Sequence, residues 1–179
     1  MKKKKHLYVN FDKIYKLAKK NQQALQLQQE LSSFTRIFFH QKDLMFFLEN
    51  NRLSFQAKKE FLERALKSFS PLTLKLILFL VENRKIRNID QMSSNYTRYL
   101  AEKEKIVFIK VVTAFPLKKE QEETLKNILK KKYPDKIILE KIINPRVLNG
   151  MVIKVFGGRI WDFSLKTKLA QLKHHLIKL

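Results

Sequence analysis

Along the first hundred positions, apolar residues recur at spacings of three and four, the period of helices that bury one face. Phe11, Ile14, Tyr15 and Ala18 share a stripe, with Asn10 placed to cap it. Ala24, Leu27, Leu31, Phe34 and Phe38 form a second stripe, and a short apolar stretch from Leu44 to Leu48 ends at Glu49-Asn50-Asn51. Ser54 opens a helix whose buried face is expected to be Phe61, Leu62, Ala65, Leu66 and Phe69. Ser70 followed by Pro71 is an N-cap and first-turn pair. The helix it opens, Leu72 to Val81, is apolar on nearly every side and is expected to be central. Ile89, Met92, Tyr96 and Tyr99 mark a last helix running towards Lys105, which makes six.

At Ile106 the pattern changes. Ile106 to Thr113 is β-branched and apolar with one lysine, which predicts a strand and a domain boundary. A helix from about Leu117 to Lys132 follows, with Leu117, Gln121, Leu125, Ile128 and Leu129 on one face, and Tyr133-Pro134-Asp135 ends it. Lys136 to Ile143 predicts a second strand, and Asn144-Pro145 turns the chain into Val147 to Phe156. Gly157 and Gly158 supply positive backbone angles for a tight hairpin into Arg159 to Phe163. Ser164 then caps a closing helix with Leu165, Leu169, Leu172 and Leu176 on one stripe, and Asp162 stands where the helix dipole favours a negative charge. The fold class predicted is α+β: an N-terminal six-helix bundle over residues 1–105, then a small C-terminal α/β module over 106–179 with a mixed sheet and a closing helix.

Composition narrows the function. The 179 residues are 45% hydrophobic, enough for packed cores, and contain no cysteine, so disulfides, thiolate metal sites and cysteine nucleophiles are excluded. No apolar signal segment follows the basic start, and Leu72 to Val81, interrupted by Lys75, is far shorter than the roughly 20 residues of a membrane span. Membrane association is therefore expected only through partners or surface charge.

A net charge of +22 invites a polyanion such as RNA or acidic lipid. Yet lysine outnumbers arginine 30 to 8, the charge is spread along the whole chain, and base recognition favours arginine's planar fork. An AT-rich genome accounts for the same composition.

No catalytic constellation emerges. There is no glycine-rich phosphate loop and no dinucleotide fingerprint. His174 and His175 are adjacent, so on a helix they point about 100° apart and do not form an i, i+4 ligand pair. The carboxylates sit beside lysines, as in Glu120, Glu122 and Glu123 with Lys118, Lys119 and Lys126. The aromatics fall mainly at core positions, Trp161 and Phe163 excepted. The expectation is a protein with no catalytic, cofactor or metal residues.

From about Val81 onward the order of residues resembles the delta or oligomycin-sensitivity-conferring family of ATP synthases. Three segments carry the resemblance: Glu82-Asn83-Arg84 at the end of the bundle, Val112-Thr113-Ala114-Phe115-Pro116-Leu117 after the first strand, and a C-terminal signature. That signature runs from Asn144 to Phe156 and continues through Arg159-Ile160-Trp161-Asp162-Phe163-Ser164. Its structural positions are Asn149, Gly150, Gly157, Gly158, Asp162 and Ser164. The chain departs from the family in having Asn149 where a glycine is usual and Phe163 between the acidic residue and the serine, so the turn before the last helix is expected to be reshaped.

The resemblance implies a non-catalytic connector in the peripheral stalk of an F-type ATP synthase, at the cytoplasmic face of a bacterial inner membrane or the stromal side of a thylakoid. Its partners would be the N-terminal helices of the alpha subunits, gripped by the bundle near Ile14, Tyr15, Phe79 and Leu80, and the b subunits, held by the final hairpin and helix. The alternative is a basic RNA-binding module, which predicts binding that falls steeply with salt.

Overall fold

The computed structural model describes residues 9–133, 135–147, 150–158 and 160–162. The chain is mixed α+β and divides into two compact units, Met1–Leu100 and Ala101–Leu179.

Six α-helices precede the first strand: α1 (Phe11–Lys20), α2 (Ala24–His40), α3 (Lys42–Glu49), α4 (Phe55–Ala65), α5 (Pro71–Glu82) and α6 (Ile89–Glu104). Three of them start where a short polar side chain satisfies an orphan amide. Asn10, Ser54 and Ser70 accept from the backbone N–H of Lys13, Ala57 and Thr73 respectively. The seam of the first unit is α2, whose Leu27, Leu31, Phe34 and Phe38 are completely buried, each burial contributing about 2 kcal/mol. Against it pack α1, α3 and α5, while α4 packs on α5. Two polar bonds bring α6 to the same helix, Tyr96 Oη donating to the Ala24 carbonyl at 3.1 Å and Gln28 Nε2 donating to Thr97 Oγ1 at 3.2 Å.

A carboxylate on α2 holds the start of α5. Glu30 accepts from the Ser70 N–H at 3.0 Å, from Ser70 Oγ at 2.7 Å, from Thr73 Oγ1 and from Gln26 Nε2 at 2.8 Å. Burial pushes its pKa up, but the hydroxyls of Thr73 and Ser70, the Gln26 amide and the Ser70 N–H outweigh it, and the net direction is below the ordinary carboxylate value.

Several buried faces differ from the sequence expectation. On α4, Leu62 and Leu66 are buried but Phe61 and Ala65 are exposed, and Lys58 takes an interior place, 6% exposed, donating to the Leu48 carbonyl at 2.8 Å. Burial, then the nearby Arg84 charge, holds the Lys58 ammonium below its usual pKa. Phe61 instead lies on the Phe47 ring, centroids 4.9 Å apart. Nor is α5 enclosed. Thr73, Ile77, Leu80 and Val81 face inward, where α2 and α4 pack on this helix, while Leu72, Leu76 and Phe79 form a partly exposed apolar side. Among the aromatics, Phe34, Phe38 and Tyr96 are core as expected, whereas Phe39, Phe46, Phe79 and Phe115 are exposed.

In the second unit, β1 (Ile106–Thr113), α7 (Lys119–Lys132) and β2 (Lys136–Ile143) form a βαβ crossover, and β3 (Met151–Val155) and β4 (Ile160–Asp162) form a hairpin. The sheet order is β2-β1-β3-β4, with β1 and β2 parallel from Ile106↔Lys136 to Thr113↔Ile143 and the other pairs antiparallel. Alternation assigns one face to α7, where Leu125 and Leu129 meet Ile109, Val111 and Ile153, flanked by Val107, Ile137, Leu139, Met151 and Val155. Two residues expected on that helix face are elsewhere. Ile128 is exposed, and the Gln121 side chain turns back to accept from the Lys118 N–H at 3.0 Å, capping α7. The expected closing helix, with Leu165, Leu169, Leu172 and Leu176, lies outside the described residues, as do Asn149, Phe163 and Ser164.

Two titration predictions follow from this packing. Glu30→Ala strands three donors at the start of α5 and is expected to cost about 2 kcal/mol in chemical denaturation. Because its folded pKa is depressed, the stability Glu30 supplies is present above the unfolded carboxylate value and is lost as pH falls through the folded value. The wild-type minus Glu30→Ala difference should therefore shrink on acidification, and a pH-independent difference would refute the assignment. Glu122, bonded first by Lys126 and then by Lys141, both at 2.8 Å, is pulled down to about 2. Carboxyl NMR should find it titrating there, and the Lys126→Gln, Lys141→Gln double variant should return it towards the ordinary range.

Candidate partner-binding site

On α1 the inward face is Ile14, Tyr15 and Ala18. Tyr15 meets Tyr99 of α6 edge to face at 5.6 Å and accepts from Lys19 Nζ at 2.9 Å. Tyr99 in turn donates to Asp12 Oδ1 at 2.9 Å; its burial, followed by that bond to a carboxylate, raises its pKa. Asp12 also pairs with Lys16 at 2.7 Å. The outward face of α1 is Lys13, Lys16, Leu17 and Lys20, spaced as one helical stripe, with Leu17 54% exposed among the three lysines.

On α5, Leu80 is completely buried and Phe79 is 40% exposed, continuing the outer stripe of Leu72, Lys75 and Leu76. Of the four residues proposed from sequence, then, Ile14, Tyr15 and Leu80 are interior and Phe79 is on the surface. The exposed Leu17 was not among them, because an apolar residue flanked by lysines reads as part of a solvated face. The two helices carrying these stripes both pack on α2. This arrangement offers apolar contacts edged by cations, suited to docking rather than to chemistry.

In the second unit the signature positions divide. Gly157 has φ +73° in the turn closed by Gly158 N–H donating to the Val155 carbonyl at 3.1 Å, the third turn position where glycine is favoured. Positive φ is needed only there; Gly158 does not share it, contrary to the expectation for both. Gly150 immediately precedes β3, and Asp162 ends β4 opposite Val152. The Asn144 side chain accepts from the Arg146 N–H at 3.0 Å while its own N–H extends the β1 ladder to Thr113 at 2.8 Å, which fixes the exit from β2.

Among the described residues, no group of three or more histidines and carboxylates is placed to hold a metal ion, and no helix is long and apolar enough to cross a membrane.

Residues 13–176 match the family model described as ATP synthase delta (OSCP) subunit. ATP synthase subunit delta of Clostridium botulinum (strain Loch Maree / Type A3) is 27% identical over 166 residues, covering 92% of each chain. That of Ligilactobacillus salivarius (strain UCC118) is 27% identical over 169 residues, with the same coverage. A chain of the Toxoplasma gondii mitochondrial ATP synthase hexamer shares the fold, with TM-score 0.59 and 21% identity over 93% of this chain and 94% of that one. With 164 consecutive positions inside the family model and both units represented in full-length relatives, the chain belongs to the ATP synthase delta (OSCP) subunit family, the non-catalytic component of the peripheral stalk of F-type ATP synthases.

Proposed function

We propose that this subunit joins the catalytic head to the membrane-anchored stalk through two separate contacts. Residues 1–105 act as a six-helix bundle that takes the N-terminal helices of alpha subunits, and residues 106–179 hold the b subunits at the final hairpin and closing helix. The complex stands at the cytoplasmic face of a bacterial inner membrane. There the connector opposes the torque that would carry the head round with the rotor.

The observation that supports the head contact best is the pair of outer stripes on α1 and α5, Leu17 with Lys13, Lys16 and Lys20, and Phe79 with Leu72 and Leu76. An amphipathic helix places anchors at i, i+3, i+4 and i+7, the spacing that two such stripes accept. Lysine edges favour a partner helix carrying carboxylates and raise its association rate more than its affinity.

The reading is tested by calorimetric titration with the N-terminal peptide of the same organism's alpha subunit at low and high salt. Binding that persists at high salt is expected, since the anchors are apolar; absence of binding at both would overturn the head contact. Phe79→Ala and Leu17→Ala should weaken binding about tenfold each with melting temperature nearly unchanged. Tyr15→Ala and Leu80→Ala should lower the melting temperature, Leu80→Ala by a loss of about 3 kcal/mol. If Phe79→Ala lowered stability as much as binding, Phe79 would be core rather than contact.

A further inference from the structure

Among the described residues β2 is an edge strand of the sheet. This strand pairs with β1 on one side, and among the described residues nothing pairs with it on the other. Alternate residues of such a strand direct their N–H and C=O groups away from the neighbour, so among the described residues the outer side is a row of donors and acceptors without a strand partner.

Protein edges of this length are ordinarily guarded by a proline, a bulge, or charges on the open side. Neither of the two backbone guards, proline or bulge, is present in β2. Lys136 to Ile143 contains no proline or glycine, and its eight-residue register with β1 runs without interruption, which excludes a bulge. Its central charges are drawn onto the two sheet faces: Lys141 to Glu122 of α7 at 2.8 Å, and Glu140 to Lys110 of β1 at 3.2 Å. Apart from Lys136 at its start, what remains is apolar, with Ile137, Ile138, Leu139 and Ile142 half-buried and Ile143 58% exposed.

We propose that the open edge of β2 binds an extended segment of a stalk partner by strand addition, a contact separate from the hairpin at the opposite edge. A helix presents no free backbone groups to such an edge, so its occupant is a strand. Charge fixes the partner's chemistry at one end. The last turn of α7 joins the start of β2 through only three residues, bringing exposed Lys130, Lys131 and Lys136 to the same end, with Asp135 the acidic residue of the connection. The partner strand is apolar on both faces and carries carboxylates where it passes this end. The occupant rests on the stalk-connector reading; the open edge does not.

The test is amide hydrogen exchange on the full chain, free and reassembled into the ATP synthase of its own organism. Alternate β2 amides, those directed outward, should exchange at least tenfold more slowly in the complex. Ile137→Pro and Ile138→Pro provide a second measurement, because one of two consecutive residues has its N–H on the open side. The variant that keeps its melting temperature should enter the complex at least tenfold more weakly. Unchanged exchange along β2 in a complex that has assembled, or normal assembly of the stable proline variant, would overturn the strand-addition inference alone. Failure of the wild-type chain to enter the complex would overturn the connector reading and this one together.

Discussion

With no cysteine to form a disulfide, the helical unit depends on burial of one stripe, the side of α2 bearing Leu27, Leu31, Phe34 and Phe38. Three helices close on α2 directly, and the polar bonds to Tyr96 and Thr97 fix the height at which α6 lies against it. Apolar contact alone lets helices slide past one another at little cost, whereas a buried amide-to-hydroxyl bond is satisfied at a single register. Glu30 does the same for α5, whose own side chains are too uniformly apolar to select one rotation. The division of labour is clear: leucine and phenylalanine supply the driving force, and a handful of polar atoms decide the arrangement.

The large positive charge is spread along the chain, and part of it is met by exposed ion pairs. Arg87 and Glu49 join the turn after α5 to the end of α3. Lys126 and Lys141 share Glu122, and Lys110 meets Glu140. Such exposed pairs stabilise a fold little. With 38 basic residues for 16 acidic ones, cations outnumber carboxylates by 22, a balance that raises the rate at which any acidic surface is encountered more than the tightness with which it is held.

Much of this architecture was legible from sequence where local chemistry decides it. The β1 and β2 limits coincide with the β-branched runs Ile106–Thr113 and Lys136–Ile143, because those side chains suit a pleated surface. Helix starts at Asn10, Ser54 and Ser70 were readable for the same reason, a short polar side chain before an apolar period. What periodicity missed depends on partners distant in sequence. Nothing near Glu30 announces Ser70 and Thr73 forty residues on, and Lys58 reads as solvated until the Leu48 carbonyl is beside it. Likewise Phe79 and Leu80 are neighbours of similar hydrophobicity, and it is the packing of other elements on α5, α2 and α4 among them, that makes one surface and the other buried.

The uninterrupted parallel register between β1 and β2 has a mechanical meaning for a part of the stator. When two strands are pulled lengthwise in opposite directions, every bond of their ladder is strained at once, whereas peeling them apart from one end breaks the bonds in succession. Eight paired residues, backed by a helix whose leucines grip both strands, therefore resist a lengthwise pull far better than a sideways one. A stalk attached so that its tension ran along these strands would be moored in the direction in which this small sheet is hardest to tear.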